Sequence, residues 1–159
     1  MSRLAWNCPG KRWASHLNKI QNNAVPKKQI RRNSFNKESK IADGSNGAQI
    51  YVGVLDNTLP VAVKQVPNDT LINKRPEKNK HIAPVIATEE DDFKYLAIPL
   101  CECNLEEPTE NGYELDNKLS KVQMCYQLIL GLHQLHEMDI HRDLKPRKVL
   151  LGKQVKSTK

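Results

Sequence analysis

His141-Arg-Asp-Leu-Lys-Pro146 is the stretch that decides how this chain is read. It places a carboxylate, Asp143, two residues from an ammonium, Lys145, and closes on a proline. Upstream, Leu115, Leu119, Val122, Cys125, Ile129, Leu132 and His136 recur every three or four residues. That period predicts a long amphipathic helix over residues 114–138. Asp116 is a plausible cap near its start. Downstream, Lys148-Val-Leu-Leu151 is a short apolar segment.

Further from this loop the period changes to two. Gln49-Ile-Tyr-Val-Gly-Val-Leu55 and Val61-Ala-Val-Lys-Gln-Val66 are strand-like, and Asp56-Asn57 with Pro60 marks the turn between them. Residues 67–83 are polar and lysine-rich, with Pro67 and Pro76 as breakers. Val85-Ile-Ala-Thr88 and Phe93-Lys-Tyr-Leu-Ala-Ile-Pro-Leu100 predict a second hairpin across residues 89–92. Strands come first and the helix later, which argues an α+β fold with an antiparallel sheet. No internal repeat is present.

The 159 residues carry a net charge of +7, and the excess is uneven. Residues 1–32 hold eight basic side chains and no acid; the remainder has 17 basic and 18 acidic, a balance of −1. This leading segment reads as a disordered basic tail, because it lacks the apolar surface to offset ordering entropy. Trp6, Trp13, Leu17 and Ile20 could form one short amphipathic face, marginal as an isolated helix. No apolar h-region follows Arg3, and no apolar run approaches the roughly 18–20 residues that span a bilayer. A transit peptide is disfavoured by few Ser and Arg. Cys8, Cys101, Cys103 and Cys125 form no C-x-x-C pair, so free thiols in a cytoplasmic, or nuclear, compartment are expected.

Three motifs then fall in order. Ala42-Asp-Gly-Ser-Asn-Gly47, followed by Ile50-Tyr51 and Gly53, is a Gly-rich loop. Val61-Ala-Val-Lys64 puts a lysine on a strand-like run, and the opening hexapeptide is the third. Together they resemble the signature set of protein kinases. The phrases IADGSNGAQIYVG, VIATEEDDFKYLAIPLCECNLEE and LGLHQLHEMDIHRDLKP narrow this further. Over about residues 36–151 the chain resembles the kinase-homology region of the inositol-requiring kinase/endoribonucleases and of ribonuclease L.

The resemblance implies an α+β, protein-kinase-like fold. Residues 33–103 would be the small lobe with its antiparallel sheet and hinge. Residues 104–159 would be a partial large lobe with its first helices, ending after the catalytic loop. It implies an ATP pocket, with Mg²⁺ expected for the family. Gly44 and Gly47 would let backbone N–H groups approach phosphate, with Ala42 where the first glycine usually stands. Ile50 would line the pocket and Lys64 would reach the α/β-phosphates, paired with a helix glutamate for which Glu77 is the candidate. Ile98 would be the gatekeeper, and Leu100 and Cys101 the hinge that hydrogen-bonds adenine. Asp143 would accept the substrate hydroxyl proton and Lys145 would stabilise the transferred phosphoryl group.

The sequence departs from that pattern in four places. Lys148 stands where the family has a metal-binding Asn, and a charged ammonium has no lone pair to offer a metal. Each unit-charge pair at 4 Å repels by roughly 4 kcal/mol at an effective dielectric of about 20. No D-F-G follows; Asp92-Phe93-Lys94 is the only Asp-Phe pair and lies upstream. The region between Lys64 and His81 is short and Pro-broken. The spacing from His136 to His141 is one residue tighter than the family's. Phosphoryl transfer to Ser/Thr is therefore expected to be impaired or lost, while nucleotide binding could survive. With most of the large lobe missing, about five apolar side chains of the long helix lack partners, a loss of order 10 kcal/mol. Instability after residue 104 is expected unless a partner covers that face. The alternatives are a non-catalytic pseudokinase module that dimerises through its small lobe with a full-length kinase/nuclease relative, and RNA binding through the basic tail. Arg31-Arg-Asn-Ser34 also matches a basophilic phosphorylation pattern, and His133 with His136 reads as structural.

Overall fold

A computed structural model describes residues 11–72, 81–107, 120–137 and 143–151. Six strands form one antiparallel sheet: β1 (Lys28–Ile30), β2 (Asn33–Asp43), β3 (Gln49–Leu55), β4 (Leu59–Val66), β5 (Ala87–Glu90) and β6 (Lys94–Pro99), in the order β1-β2-β3-β4-β6-β5. A small second sheet pairs β7 (Cys103–Asn104) with β8 (Leu150–Leu151). Two helices accompany them, α1 (Ala14–Gln21) and α2 (Lys121–His136). This is the α+β small-lobe arrangement expected.

The sheet buries apolar side chains on both faces because residues alternate across a strand. One face gathers Ile30, Phe35, Tyr51, Leu55, Val61, Val63, Tyr95 and Ala97. There Phe35 stacks against Tyr51 and Tyr95, with ring centroids 4.9 and 5.7 Å apart. The other face carries Val52, Val54 and Ala62. The β3–β4 hairpin closes through Asp56 and Asn57, both at positive φ (51° and 59°), where Asp and Asn are among the residues that tolerate the strain. Gly53 is required by proximity: a Cβ there would lie 2.5 Å from Val63 Cγ2 and 2.8 Å from the Ser34 carbonyl oxygen.

Two expectations need correction and one is qualified. The segment over residues 11–32 is not a disordered tail. Trp13, Leu17 and Ile20 are buried against Val52, Val54, Ala62 and Leu100, and β1 pairs with β2. A helix too short to stand alone is stabilised here by docking on the sheet. Its charge also finds partners: Arg12 with Glu107 at 2.6 Å, Lys28 with Asp92 at 2.7 Å, and Arg32 with Asp56 at 2.5 Å. The leading segment's basicity is thus complemented by acids of the near-neutral remainder.

Second, of the predicted stripe on the long helix only Leu132 is half-buried among the described residues; the rest lacks cover, as expected for a helix short of partners. Val122 and Ile129, from the predicted stripe, are 78% and 62% exposed, and His136 is exposed. The better-covered positions are Met124, Leu128, Gly131 and Leu135. The helix is apolar on both sides, so period alone does not choose the covered face. Within the described residues it starts at a capping box: Ser120 Oγ accepts from the Gln123 N–H, and Gln123 Oε1 from the Ser120 N–H. Asp116 lies outside the described residues. Third, β5 begins two residues later than expected, at Ala87.

Candidate active site

The sheet brings the nucleotide-site candidates to one face. Register places Lys64 opposite Ile50 on one side and Leu96 on the other. Ala62 and Lys64, two apart on β4, project to the same face. Ile41, Ile50 and Ile98 pack against the cluster that holds Ala62 and Leu100. Ala42 pairs with Ile50 across β2 and β3. An aliphatic shelf flanked by the strand lysine results, and Cys101 continues the chain beyond it. Glu77 lies outside the described residues.

The Gly-rich loop is a tight turn over Ser45–Gly47. Asn46 (φ 58°) and Gly47 (φ 74°) take the left-handed conformation, which Gly adopts without cost and Asn with little. The Gly44 N–H donates to the Ala48 carbonyl at 2.7 Å, and the Ala48 N–H to Ser45 at 3.2 Å. A Cβ on Gly44 would sit 2.9 Å from the Ala48 Cβ, so even alanine would crowd the turn there.

The candidate catalytic loop is tied to the segment after the candidate hinge. The Leu105 N–H donates to Val149 O at 2.9 Å and to Pro146 O at 3.3 Å, beside the β7–β8 pair. A single turn, Pro146–Lys148, brings Lys148 back toward Asp143. Asp143 Oδ1 meets Lys145 Nζ at 2.8 Å, and Oδ2 meets Lys148 Nζ at 2.5 Å. Hydrogen bonds from Lys145 first, and Lys148 second, hold the Asp143 pKa down at about 2. Both oxygens of the candidate base are thus held by cations. His141 and Arg142 lie outside the described residues. Asp92 is in the β5–β6 turn, where it accepts from Lys28 and from the Tyr95 hydroxyl, at 2.5 Å for the latter. These bonds, from Lys28 first, lower its pKa. It is an anchor for β1.

A metal does not fit this loop as built. The position expected to hold it presents an ammonium already bonded to the neighbouring carboxylate. Among the described residues no group of three or more His, Cys, Asp or Glu could hold a metal ion. Cys101, Cys103 and Cys125 form no disulfide among the described residues, and burial raises the Cys103 thiol pKa. No helix among the described residues is long and apolar enough to cross a membrane. Ser34 is buried within β2, so the phosphorylation pattern is inaccessible in the folded chain. Sequence reasoning missed Trp13 as a neighbour of the hinge; its spacing to Leu17 and Ile20 was the available signal.

A Gly-rich hairpin, a strand lysine and a loop bearing Asp143 and Lys145, set on an antiparallel sheet, define a protein-kinase-like region. No protein-family model matches the chain. In an alignment of 124 positions that covers 70% of the chain, it is 32% identical to the sensor for unfolded proteins in the ER, ire1, of Schizosaccharomyces pombe. In an alignment of 131 positions that covers 72% of the chain, it is 31% identical to the probable serine/threonine-protein kinase irlB of Dictyostelium discoideum. The human serine/threonine-protein kinase/endoribonuclease IRE2 is 30% identical over 74% of the chain. The chain belongs, as a kinase-like region, to the IRE1 branch of the Ser/Thr kinases. The matched stretch spans about a tenth of the length of these relatives, 12%, 9% and 14% respectively.

Proposed function

We propose that this chain is a nucleotide-binding kinase-like module in which Ser/Thr phosphoryl transfer is impaired. One observation carries the reading: Lys148, at the position of the family's metal-binding Asn, holds Asp143 Oδ2 at 2.5 Å while Lys145 holds Oδ1. A general base works best with a pKa near the operating pH. A carboxylate held at about 2 by two ammoniums is a weak proton acceptor, and the loop offers a metal no lone pair at residue 148. The aliphatic shelf of Ile50, Ala62, Ile98 and Leu100 supports purine binding, with Lys64 for the phosphates.

Incubation with γ-labelled ATP, Mg²⁺ and a basic protein substrate tests the reading. No label above background is expected; label that disappears in Asp143→Asn overturns the inactivity.

A second reading, a non-catalytic module that pairs with a full-length kinase/nuclease relative, is favoured by the exposed apolar residues Val122, Tyr126 and Ile129 of α2. Co-purification insensitive to Lys64→Ala and Asp143→Ala supports it; loss in either variant opposes it. RNA binding through residues 1–32 is less favoured, because Trp13 is buried and Arg12, Lys28 and Arg32 face carboxylates.

A further inference from the structure

The leading segment meets the hinge through named contacts. Trp13 Nε1 donates to the Cys101 carbonyl oxygen at 2.9 Å. Arg12 Nη1 donates to the Glu102 carbonyl at 2.8 Å and to Glu107 Oε2 at 2.6 Å, with Nη2 on Oε1 at 3.3 Å. The Arg12 guanidinium also lies 4.4 Å from the Trp13 ring centroid, within cation–π range. Trp13 is only 8% exposed and shares one buried cluster with Ala62, Leu100 and Val52. Leu17 and Ile20 extend that cluster toward Val54.

An indole is an aromatic bicycle of purine size with one N–H donor. Here it is clustered with aliphatic side chains and donates to a hinge carbonyl, the kind of contacts an adenine ring would make. Leu100 and Cys101 belong to both sets of contacts. Ile50 and Ile98 pack against the same cluster.

We infer that residues 12–20 form an intrachain latch that occupies the hinge in place of a purine, so that latch docking and nucleotide binding compete. The inference rests on the nucleotide-site reading proposed above. It predicts that apparent nucleotide affinity is reduced by the fraction of molecules with the latch undocked. The acid-free segment suits this role, since Arg12 meets the hinge-side acid Glu107 without a competing carboxylate of its own.

The test is ADP titration of the full chain by calorimetry, without added metal, so that Lys148 does not confound it. Wild type is compared with Trp13→Phe, which keeps the ring and removes the donor. It is also compared with Arg12→Glu, which breaks the ion pair and spares the core. Both variants are expected to bind ADP about five- to tenfold more tightly, the effect of losing one hydrogen bond or one part-buried ion pair. Saturating ADP is expected to raise amide exchange across α1 in the wild type. Equal ADP affinity in all three proteins, or unchanged exchange in α1, overturns the latch and leaves the nucleotide site standing. Absence of ADP binding in all three refutes the nucleotide-site reading, and the competition with it.

Discussion

Asp143 and Lys148 concentrate the chemistry at the smallest scale. Their contact makes Asp143 a titration reporter. Its folded pKa, about 2, is below the ordinary 3.8, so the stabilisation it provides is complete above about pH 4. It is lost as pH falls through 2. Lys148→Asn removes one of the two cations, so the Asp143 carboxyl midpoint, followed by carbon-detected NMR, is expected to rise toward its ordinary value. An unmoved midpoint would show that Lys148 exerts no hold on it. The Lys-for-Asn exchange was legible in the sequence, as was its lack of a lone pair. Its bond to Asp143 was not, because it depends on a loop turn that brings together two residues five apart. The same limit applied at Trp13: the residue was legible as apolar, but its hinge partner is 88 positions away.

Among elements, α1 and the β3–β4 hairpin allow the sharpest forecasts. Ile20 is 1% exposed and part of the core, so Ile20→Ala is expected to cost about 2–5 kcal/mol in chemical denaturation. A cost below about 0.5 kcal/mol would return residues 14–21 to the status of a tail. Gly53→Ala pushes a methyl group to within 2.5 Å of Val63 and 2.8 Å of a backbone carbonyl. About 1–3 kcal/mol of destabilisation is expected from such overpacking. Strands β3, β4 and β6 were legible because β-branched and aromatic residues alternate or run together between turn residues. Strand β2 was not, since Asn33 and Ser34 are polar yet buried by pairing on both sides, and Asn36 and Ser39 are polar yet buried where the register with β3 shifts. Nothing local in that stretch announces a strand. Helix α2 was legible as a helix but not in its covered face, which depends on a distant residue, His81, lying against Gly131.

For the whole molecule, the distribution of exposed surface matters most. Val122, Tyr126 and Ile129 line one side of α2 at 78%, 63% and 62% exposure. Replacing all three by Thr, Gln and Gln changes side chains that lie mostly in solvent. Each change is expected to alter stability by no more than about 0.5 kcal/mol. Light scattering at rising concentration should show less self-association than for the wild type. Greater association, or a large loss of stability, would mean that this side is covered within the chain.

The register of the fold also sets an order of events. Strands β2 to β4 pair with sequence neighbours, and β6 completes the central sheet as soon as it is made. The bond from Trp13 to Cys101 spans 88 residues. At a synthesis rate of about 5–20 residues per second, α1 leaves the ribosome roughly 4–18 s before its hinge partner. During that interval Trp13, Leu17 and Ile20 have no complete surface to cover them. The nascent chain therefore carries the apolar face of α1 only partly covered until the hinge emerges, and that interval is when it is most open to chaperone capture.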